Sequence, residues 1–145
     1  MTLRRATAIL ALAGIAIAGY LTWVHYNGLE PVCVGGGGGC EKVQTSRWAE
    51  LGGIPVAVIG LAGYVAILAT LALPEDLGAP AAAFLSLVGF GFSVWLTYVE
   101  LVKIDAICQW CVASAVVMTA LALVSAARVV RAPPASGAGR AATAA

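Results

Sequence analysis

The sequence predicts an all-α integral membrane protein, a bundle of four transmembrane helices with a short surface helix after its first loop. The first indication is composition: 61% of the 145 residues are hydrophobic and 10% are charged, and the mean hydropathy is +0.96. Soluble domains carry about 25% charged residues. The second is four apolar segments of 19 or 20 residues that are almost free of charge. About 20 apolar residues span a bilayer core as a helix.

The predicted spans cover residues 6–24, 54–73, 80–99 and 111–130. Residues 1–131 would therefore form one membrane domain, while the Pro-, Ala-, Gly- and Ser-rich residues 132–145 predict a disordered cytoplasmic tail. The first segment could instead be a cleavable signal, but its apolar run is longer than a typical signal core.

Charge placement predicts the topology. Arg4 and Arg5 precede the first span, and Arg128 and Arg131 close the fourth. The positive-inside rule then places both termini in the cytoplasm of a multi-pass protein of the cell inner membrane. The two remaining loops, a long one from Tyr26 to Gly53 and a short one from Glu100 to Trp110, would face outward, into a space where disulfides persist. Aromatic residues that favour the membrane interface fall near this predicted outer side: Trp23, Tyr26, Trp48, Trp95, Tyr98 and Trp110.

The predicted surface helix follows the first loop. Thr45 or Ser46 can cap a short helix that runs through Leu51, and Gly52 and Gly53 would stop it. Such a helix would lie across the mouth of the bundle and help to exclude water.

Four cysteines carry the chemistry. Cys108 and Cys111 form a Cys-Gln-Trp-Cys motif at the start of the fourth span. The unpaired N–H groups and partial positive charge of a helix N-terminus favour a reactive thiolate. Cys108, ahead of the helix, is expected to be the more exposed thiol, and Cys111 is expected to point into the bundle.

Cys33 and Cys40 flank five consecutive glycines. Glycine samples conformations widely, so this loop can close a ring or swing open, and a disulfide within it would be only moderately favoured. Two thiol pairs beside a lipid phase indicate electron transfer between a disulfide and a lipid-soluble acceptor. The alternative that stays open is a small four-span transport or assembly protein with structural disulfides.

Other classes of site fit less well. A zinc site would need a closed tetrahedron of four ligands, and the spacing of the cysteines does not match one, so no metal is expected. Val112 stands where a haem-attachment motif needs His. The scattered basic residues predict no nucleic-acid partner. His25 is interpreted as an interfacial polar residue, and Glu100, with its polar neighbours, as a solvated part of the short loop or a partner-steering group.

The order of motifs resembles the vitamin K epoxide reductase (VKOR) family, specifically its bacterial homologues. A span is followed by a loop with two cysteines, by Ser46, and by Gly-Ile-Pro-Val before Gly60 and Tyr64. A third span and a CxxC that opens the fourth complete the set. The likeness covers the chain up to about Val130.

The resemblance implies a four-helix bundle around a quinone, either ubiquinone or menaquinone, that serves as electron acceptor. It implies that Cys33 and Cys40 are a shuttle pair, that Cys40 bridges transiently to Cys108, and that Cys111 passes electrons to the quinone. Ser46 matches a position beside this site. It also implies a separate thioredoxin-fold partner that makes disulfides in exported proteins, since no fused thioredoxin domain is expected here.

Two positions depart from the family pattern. The vertebrate enzymes carry an Asn and a Tyr where this chain has Val56 and Ala115, which argues against epoxide chemistry and leaves the polar contacts of the quinone unassigned. A disulfide bond formation protein B type oxidase is the nearest rival, but its CxxC lies in the first outer loop. A four-span exporter would need an acidic residue within the membrane, and the predicted spans contain none.

Overall fold

The computed structural model describes residues 2–132 and confirms a mostly helical membrane bundle. Its α-helices are α1 (Thr2–Tyr26), α2 (Gly39–Gln44), α3 (Val56–Ala69), α4 (Glu75–Tyr98) and α5 (Gln109–Arg131). A 3₁₀ turn, Thr70–Ala72, extends α3, and a π-helical segment, Val99–Ile104, extends α4. Strands β1 (Glu50–Leu51) and β2 (Ile54–Pro55) form a small antiparallel hairpin ahead of α3. Of the predicted tail, only Ala132 lies within the described residues.

Three helices are long and apolar enough to cross a membrane. They are α1, α5 and the continuous helix Glu75–Ile104. The apolar helix Val56–Ala72 is shorter, and at 1.5 Å per residue it extends about 25 Å, against a hydrocarbon core of about 30 Å. The predicted second span loses its first two residues to strand β2. The count of four spans therefore stays a prediction.

The bundle core lies where α1, α3 and α5 meet. It contains Ala11, Ala18, Tyr64, Ile67, Met118 and Leu121. Gly14 lets α1 approach α3 closely, because a Cβ there would lie 2.2 Å from the Tyr64 ring. The Tyr64 hydroxyl donates to the Ser114 carbonyl oxygen at 2.8 Å. Tyr64 therefore joins all three helices.

The end of the bundle away from the cysteines is closed by an ion-pair cluster. Arg128 donates from Nε and Nη2 to the two carboxylate oxygens of Glu75, each at 3.0 Å. Arg4 Nη1 lies 3.9 Å from the same carboxylate, and Arg4 also donates to the Leu71 carbonyl. A two-bond Arg–carboxylate contact fixes orientation as well as distance. It thereby ties the start of α4 to the end of α5.

The predicted surface helix is not confirmed. The short helix in this region is α2, which lies earlier, and Thr45 is its C-terminal cap, whose hydroxyl donates back to the Glu41 carbonyl at 2.8 Å. Ser46 likewise donates to the Val43 carbonyl at 2.7 Å. The prediction that these hydroxyls start a helix was wrong because they bond to the preceding turn. The two glycines expected to stop that helix, with φ of 62° and 83°, instead form the tight turn of the hairpin.

Candidate functional site

All four cysteines meet at one end of the bundle, here called the cysteine end. Cys40 and Cys108 are 1% and 0% exposed and pack in one apolar cluster, with Cys33 and Cys111 against its edge. The other buried members of the cluster are Val43, Val99 and Ile104. The structure thus brings together two thiol pairs that are far apart in sequence.

The first pair, Cys33 and Cys40, is joined by a disulfide with a Cα–Cα distance of 6.4 Å. Cys33 is half-buried, whereas Cys40 lies inside the first turn of α2 and is buried. Three glycines between them, Gly35, Gly36 and Gly38, have positive φ, a conformation that other residues rarely adopt. The loop therefore presents one sulfur to its surroundings and holds the other against Cys108.

The second pair is free and sits on a helix N-terminus. Cys108 is the N-cap of α5, and its sulfur accepts from the Cys111 N–H at 3.4 Å. From α2, the Gln44 amide nitrogen lies 4.0 Å from the Cys108 sulfur and 3.7 Å from the Cys111 sulfur. Gln44 follows Cys40 by one helical turn, so both face this site. That spacing was a signal that sequence reasoning missed.

These contacts make Cys108 the acidic thiol of the pair. The hydrogen bond from the Cys111 side chain is the largest cause that lowers the pKa of Cys108 to about 7; the Cys111 N–H and the Gln44 amide act in the same direction. Burial and the charge of Glu100 oppose them. Near neutral pH, Cys108 is therefore more readily a thiolate than an ordinary cysteine.

The predicted order of exposure was wrong. Cys108 is fully buried, while Cys111 is only partly buried. The reason is tertiary: α2, the disulfide loop and the π-helical segment Val99–Ile104 cover the start of α5. Cys111, one turn further on, borders an internal cavity instead.

That cavity has a volume of about 350 Å³ and is mostly apolar. The few polar side chains on its wall include Gln44, Ser46, Tyr64, Thr97, Glu100 and Ser114. Val56 and Ala115, the two departures from the family pattern, also lie on the wall. A ligand pocket with apolar walls and a few polar groups is typical of small-molecule sites. The residues fit a flat apolar ligand with polar oxygens, and Cys111 is the thiol that faces it.

Glu100 was interpreted as a solvated loop residue, and this was wrong. Its side chain is turned inward by the π-helical segment, and the residue is 6% exposed. Its Oε2 atom accepts from the Cys108 N–H at 3.2 Å. π-Helical turns frequently mark functional sites, but the sequence carries no simple signal for one. The site therefore contains an acid that sequence reasoning placed in water.

Aromatic side chains hold the cysteine end together. Trp110, within the CxxC motif, donates from Nε1 to the Val32 carbonyl at 2.8 Å, and its ring centroid lies 4.9 Å from that of Tyr20. It thereby links α1, the residue before Cys33, and the start of α5. His25 Nε2 lies 3.4 Å from a Glu50 carboxylate oxygen, so it contacts the hairpin rather than the sulfurs.

Comparison with known families agrees with this geometry. A family model described as the vitamin K epoxide reductase family matches residues 5–126. The matched region covers most of the chain and includes the four cysteines, Ser46 and the cavity. Membership supports a membrane oxidoreductase that acts through cysteine thiols. The chain belongs to the vitamin K epoxide reductase family.

Proposed function

We propose that the protein passes electron pairs from a reduced, extracytoplasmic thioredoxin-fold partner through Cys33 and Cys40 to Cys108 and Cys111, and from there to a membrane quinone. This activity would support disulfide formation in exported proteins. The observation that carries the proposal is that the four sulfurs lie at one end of the bundle in different surroundings. Cys33 is half-buried, Cys40 and Cys108 are buried in one cluster, and Cys111 borders the cavity.

Entry is assigned to Cys33. A partner thiolate attacks the Cys33 sulfur, which is the accessible one, and Cys40 leaves as a thiolate. A second thiolate of the partner then attacks its own sulfur in the mixed disulfide, and Cys33 is released. The partner leaves oxidised, and the loop pair holds two electrons. Exchange of this kind depends on thiolate fraction and access.

Transfer within the protein runs from Cys40 to Cys108. The Cys40 thiolate attacks Cys108 of a Cys108–Cys111 disulfide, and Cys111 is released. Cys33 then attacks Cys40, which restores the loop disulfide and frees Cys108. The resulting state has an oxidised loop pair beside a reduced helix pair. The fixed N–H of Cys111 and the Gln44 amide favour Cys108 as leaving thiolate.

Exit is assigned to Cys111 and the cavity. The apolar wall suits a quinone ring, and hydroxyl and amide groups such as those of Ser46, Gln44 and Ser114 offer partners for its oxygens. A bound quinone supplies an acceptor for two electrons and two protons. Cys111 is the sulfur placed to deliver the electrons, while Cys108, behind it, closes the disulfide.

The proposed orientation places the cysteine end on the outer side of the cytoplasmic membrane. The opposite end carries Arg4 and Arg128, and basic residues favour the cytoplasmic side. Trp23 and Tyr98 are exposed near the cysteine end, where they match an interfacial aromatic belt.

The test uses two matched substitutions, Cys111→Ala and Cys33→Ala. Electron transfer from a reduced thioredoxin-fold protein to a short-tailed quinone would be measured by quinone absorbance, and the thiols by acid quenching and maleimide labelling. Cys111→Ala should abolish quinone reduction with every reductant and accumulate a Cys40–Cys108 disulfide. Cys33→Ala should abolish reduction by the partner but retain it with a small dithiol that reduces Cys108–Cys111 directly. Quinone reduction by the partner in Cys111→Ala protein would refute the relay.

A further inference from the structure

The relay leaves one buried acid unused. Glu100 has a charged side chain in a cluster that is otherwise apolar. Burying a charge is costly unless hydrogen bonds or a proton compensate it. The bond from the Cys108 N–H supplies only part of that compensation. The carboxyl is therefore placed where the arrival of a proton removes an unfavourable charge.

The carboxyl also contacts the second thiol of the pair. Its Oε2 atom lies 3.2 Å from the Cys108 nitrogen, and the carboxyl interacts with the Cys111 side chain as well. Glu100 and Cys111 both border the 350 Å³ cavity. The same acid thus lies beside the thiol that faces the cavity and beside the space where an acceptor would take up protons.

The proton balance of the reaction shows why the position of Glu100 matters. Oxidation of Cys108 and Cys111 to a disulfide releases two electrons and two protons, and reduction of a quinone consumes both. Cys108 gives up its proton readily, because its thiolate accepts the hydrogen bond of the Cys111 thiol. The proton that remains to be removed is the one on Cys111. Glu100, which borders the same cavity as Cys111, is a carboxylate placed to accept this proton.

We propose that Glu100 is the base that takes the Cys111 proton as the helix pair is oxidised and returns it to the acceptor in the cavity. The proposal rests on the proposed function. The Cys111 S–H bond breaks, an O–H bond forms on Glu100, and the sulfur–sulfur bond to Cys108 closes as the two electrons leave to the quinone. Glu100 then passes its proton to the reduced acceptor, and the acceptor takes up its second proton from water, which balances the proton that Cys108 releases to water at the cysteine end.

The surroundings of Glu100 make its response to pH interpretable. The titratable groups of α5 that face it are Cys108 and Cys111. The π-helical segment and the loop after it add Lys103 and Asp105, which are exposed.

The other packed elements contribute little charge. From α2, the neutral Gln44 amide shares the cavity wall, and the exposed Lys42 ammonium lies 3.5 Å from the Asp105 carbonyl. From α3, Tyr64 reaches the wall, where its hydroxyl is bonded to Ser114. The disulfide of Cys33 and Cys40 does not titrate.

The substitution Glu100→Gln distinguishes two roles for Glu100: a base that takes a proton, and a residue that only positions Cys108. The Gln amide oxygen can still accept from the Cys108 N–H, but the amide cannot take a proton. Glu30→Gln, at an exposed site away from the cluster, is the matched control. Transfer from Cys40 to Cys108, followed without quinone by quenching and thiol labelling, should keep its wild-type rate in Glu30→Gln. It should not slow in Glu100→Gln, because loss of the Glu100 charge favours Cys108 as the leaving thiolate. Oxidation of Cys108 and Cys111 by a short-tailed quinone should slow about 10²- to 10⁴-fold in Glu100→Gln only. Glu100→Asp should recover part of the rate.

A second measurement needs no quinone. In a Cys108→Ala background, N-ethylmaleimide would label Cys111, a reaction that also requires loss of the thiol proton. Adding Glu100→Gln should speed labelling several-fold, because the carboxylate no longer holds the proton on the Cys111 thiol, whereas adding Glu30→Gln should leave the rate unchanged.

The outcomes are distinct. If wild-type protein reduces no quinone while Glu100→Gln still speeds labelling, the relay is refuted but the interaction of Glu100 with the Cys111 proton is upheld. If Glu100→Gln leaves both quinone oxidation and labelling unchanged, or slows the Cys40–Cys108 transfer as much as the quinone step, the assignment of Glu100 as a base is overturned.

Discussion

The two cysteine pairs are held in opposite ways. Cys33 and Cys40 sit at the ends of a glycine loop, and Gly35, Gly36, Gly37 and Gly38 have open space where a Cβ would point. Cys108 and Cys111 sit on the first turn of a 23-residue helix, with hydrogen bonds from a backbone N–H and a side-chain amide. The loop between the first pair has few steric limits, and the second pair has a fixed electrostatic environment.

This difference assigns different tasks to the two pairs. A movable disulfide can meet a partner at Cys33 and still return Cys40 to Cys108, because glycine imposes few limits on the loop. A fixed pair can keep one thiol acidic and the other directed at the cavity. The point where the movable region meets the fixed one is Gly39, at the start of α2. Changing the packing at Gly39 should have the largest effect on electron transfer between the two pairs.

Gly39→Ala should slow transfer from Cys40 to Cys108 by about 10- to 100-fold. A Cβ at Gly39 would lie 2.5 Å from the Ile107 carbonyl oxygen, and overpacking of this kind costs about 1–3 kcal/mol. The backbone of α2 must then shift away from the CxxC segment. The rate would be measured by mixing fully oxidised protein with a dithiol and quenching with acid and maleimide.

Gly37→Ala is the matched control, because a Cβ there meets nothing within 4 Å and the residue has no positive φ. It should transfer electrons at close to the wild-type rate. Equal slowing in both variants would mean that loop flexibility, rather than the contact with Ile107, limits the transfer.

The next prediction compares the acidity of Cys108 with and without the Cys111 thiol. With Cys33 and Cys40 replaced by Ala, the thiolate absorbance of the reduced protein should rise with a midpoint at a pH of about 7. Cys108 is thus mainly a thiolate above this pH and a thiol below it. Cys111→Ala removes the main hydrogen bond, so the midpoint should move up toward about 8.5, the value of an ordinary thiol. Near pH 7 the thiolate fraction would then fall by roughly tenfold.

Cys111→Ser supplies the control for that titration. Its hydroxyl can still donate to the Cys108 sulfur, so its midpoint should fall between those of the other two proteins. A midpoint that does not change in Cys111→Ala would show that the helix N-terminus alone sets the acidity.

The sequence was sufficient for the features that follow from local composition. The apolar segments predicted the helices α1, α4 and α5, since lipid leaves few other ways to satisfy a backbone. The positions of the cysteines and the motif order predicted the family, which the comparison confirmed. The cavity-facing position of Cys111 followed from its place in the first helical turn.

What the sequence could not supply depends on contacts between distant segments. Cys108 precedes a helix and looks accessible, but α2 lies over it. Glu100 follows an apolar span and looks solvated, but a π-helical segment turns it inward. Thr45 has the chemistry of a helix start as well as of a helix end, and only the conformation of the preceding turn decides between them. In each case a tertiary contact overrides a local preference.

Trp110→Phe should have the smallest effect and tests how the movable loop is tethered. The substitution keeps an aromatic ring beside Tyr20 but removes the Nε1–H bond to the Val32 carbonyl. A net loss of about 0.5–1.5 kcal/mol is expected for one hydrogen bond. Backbone amides of residues 32–38 should therefore exchange with deuterated solvent about twofold to tenfold faster, because the loop opens more often. Trp23→Phe, at a residue that is 57% exposed on α1, should leave that exchange unchanged. If Trp110→Phe also leaves it unchanged, the loop is held by the disulfide and by the bond from the Val32 N–H to the Tyr20 hydroxyl at 3.1 Å, and the Trp110 bond does not tether it.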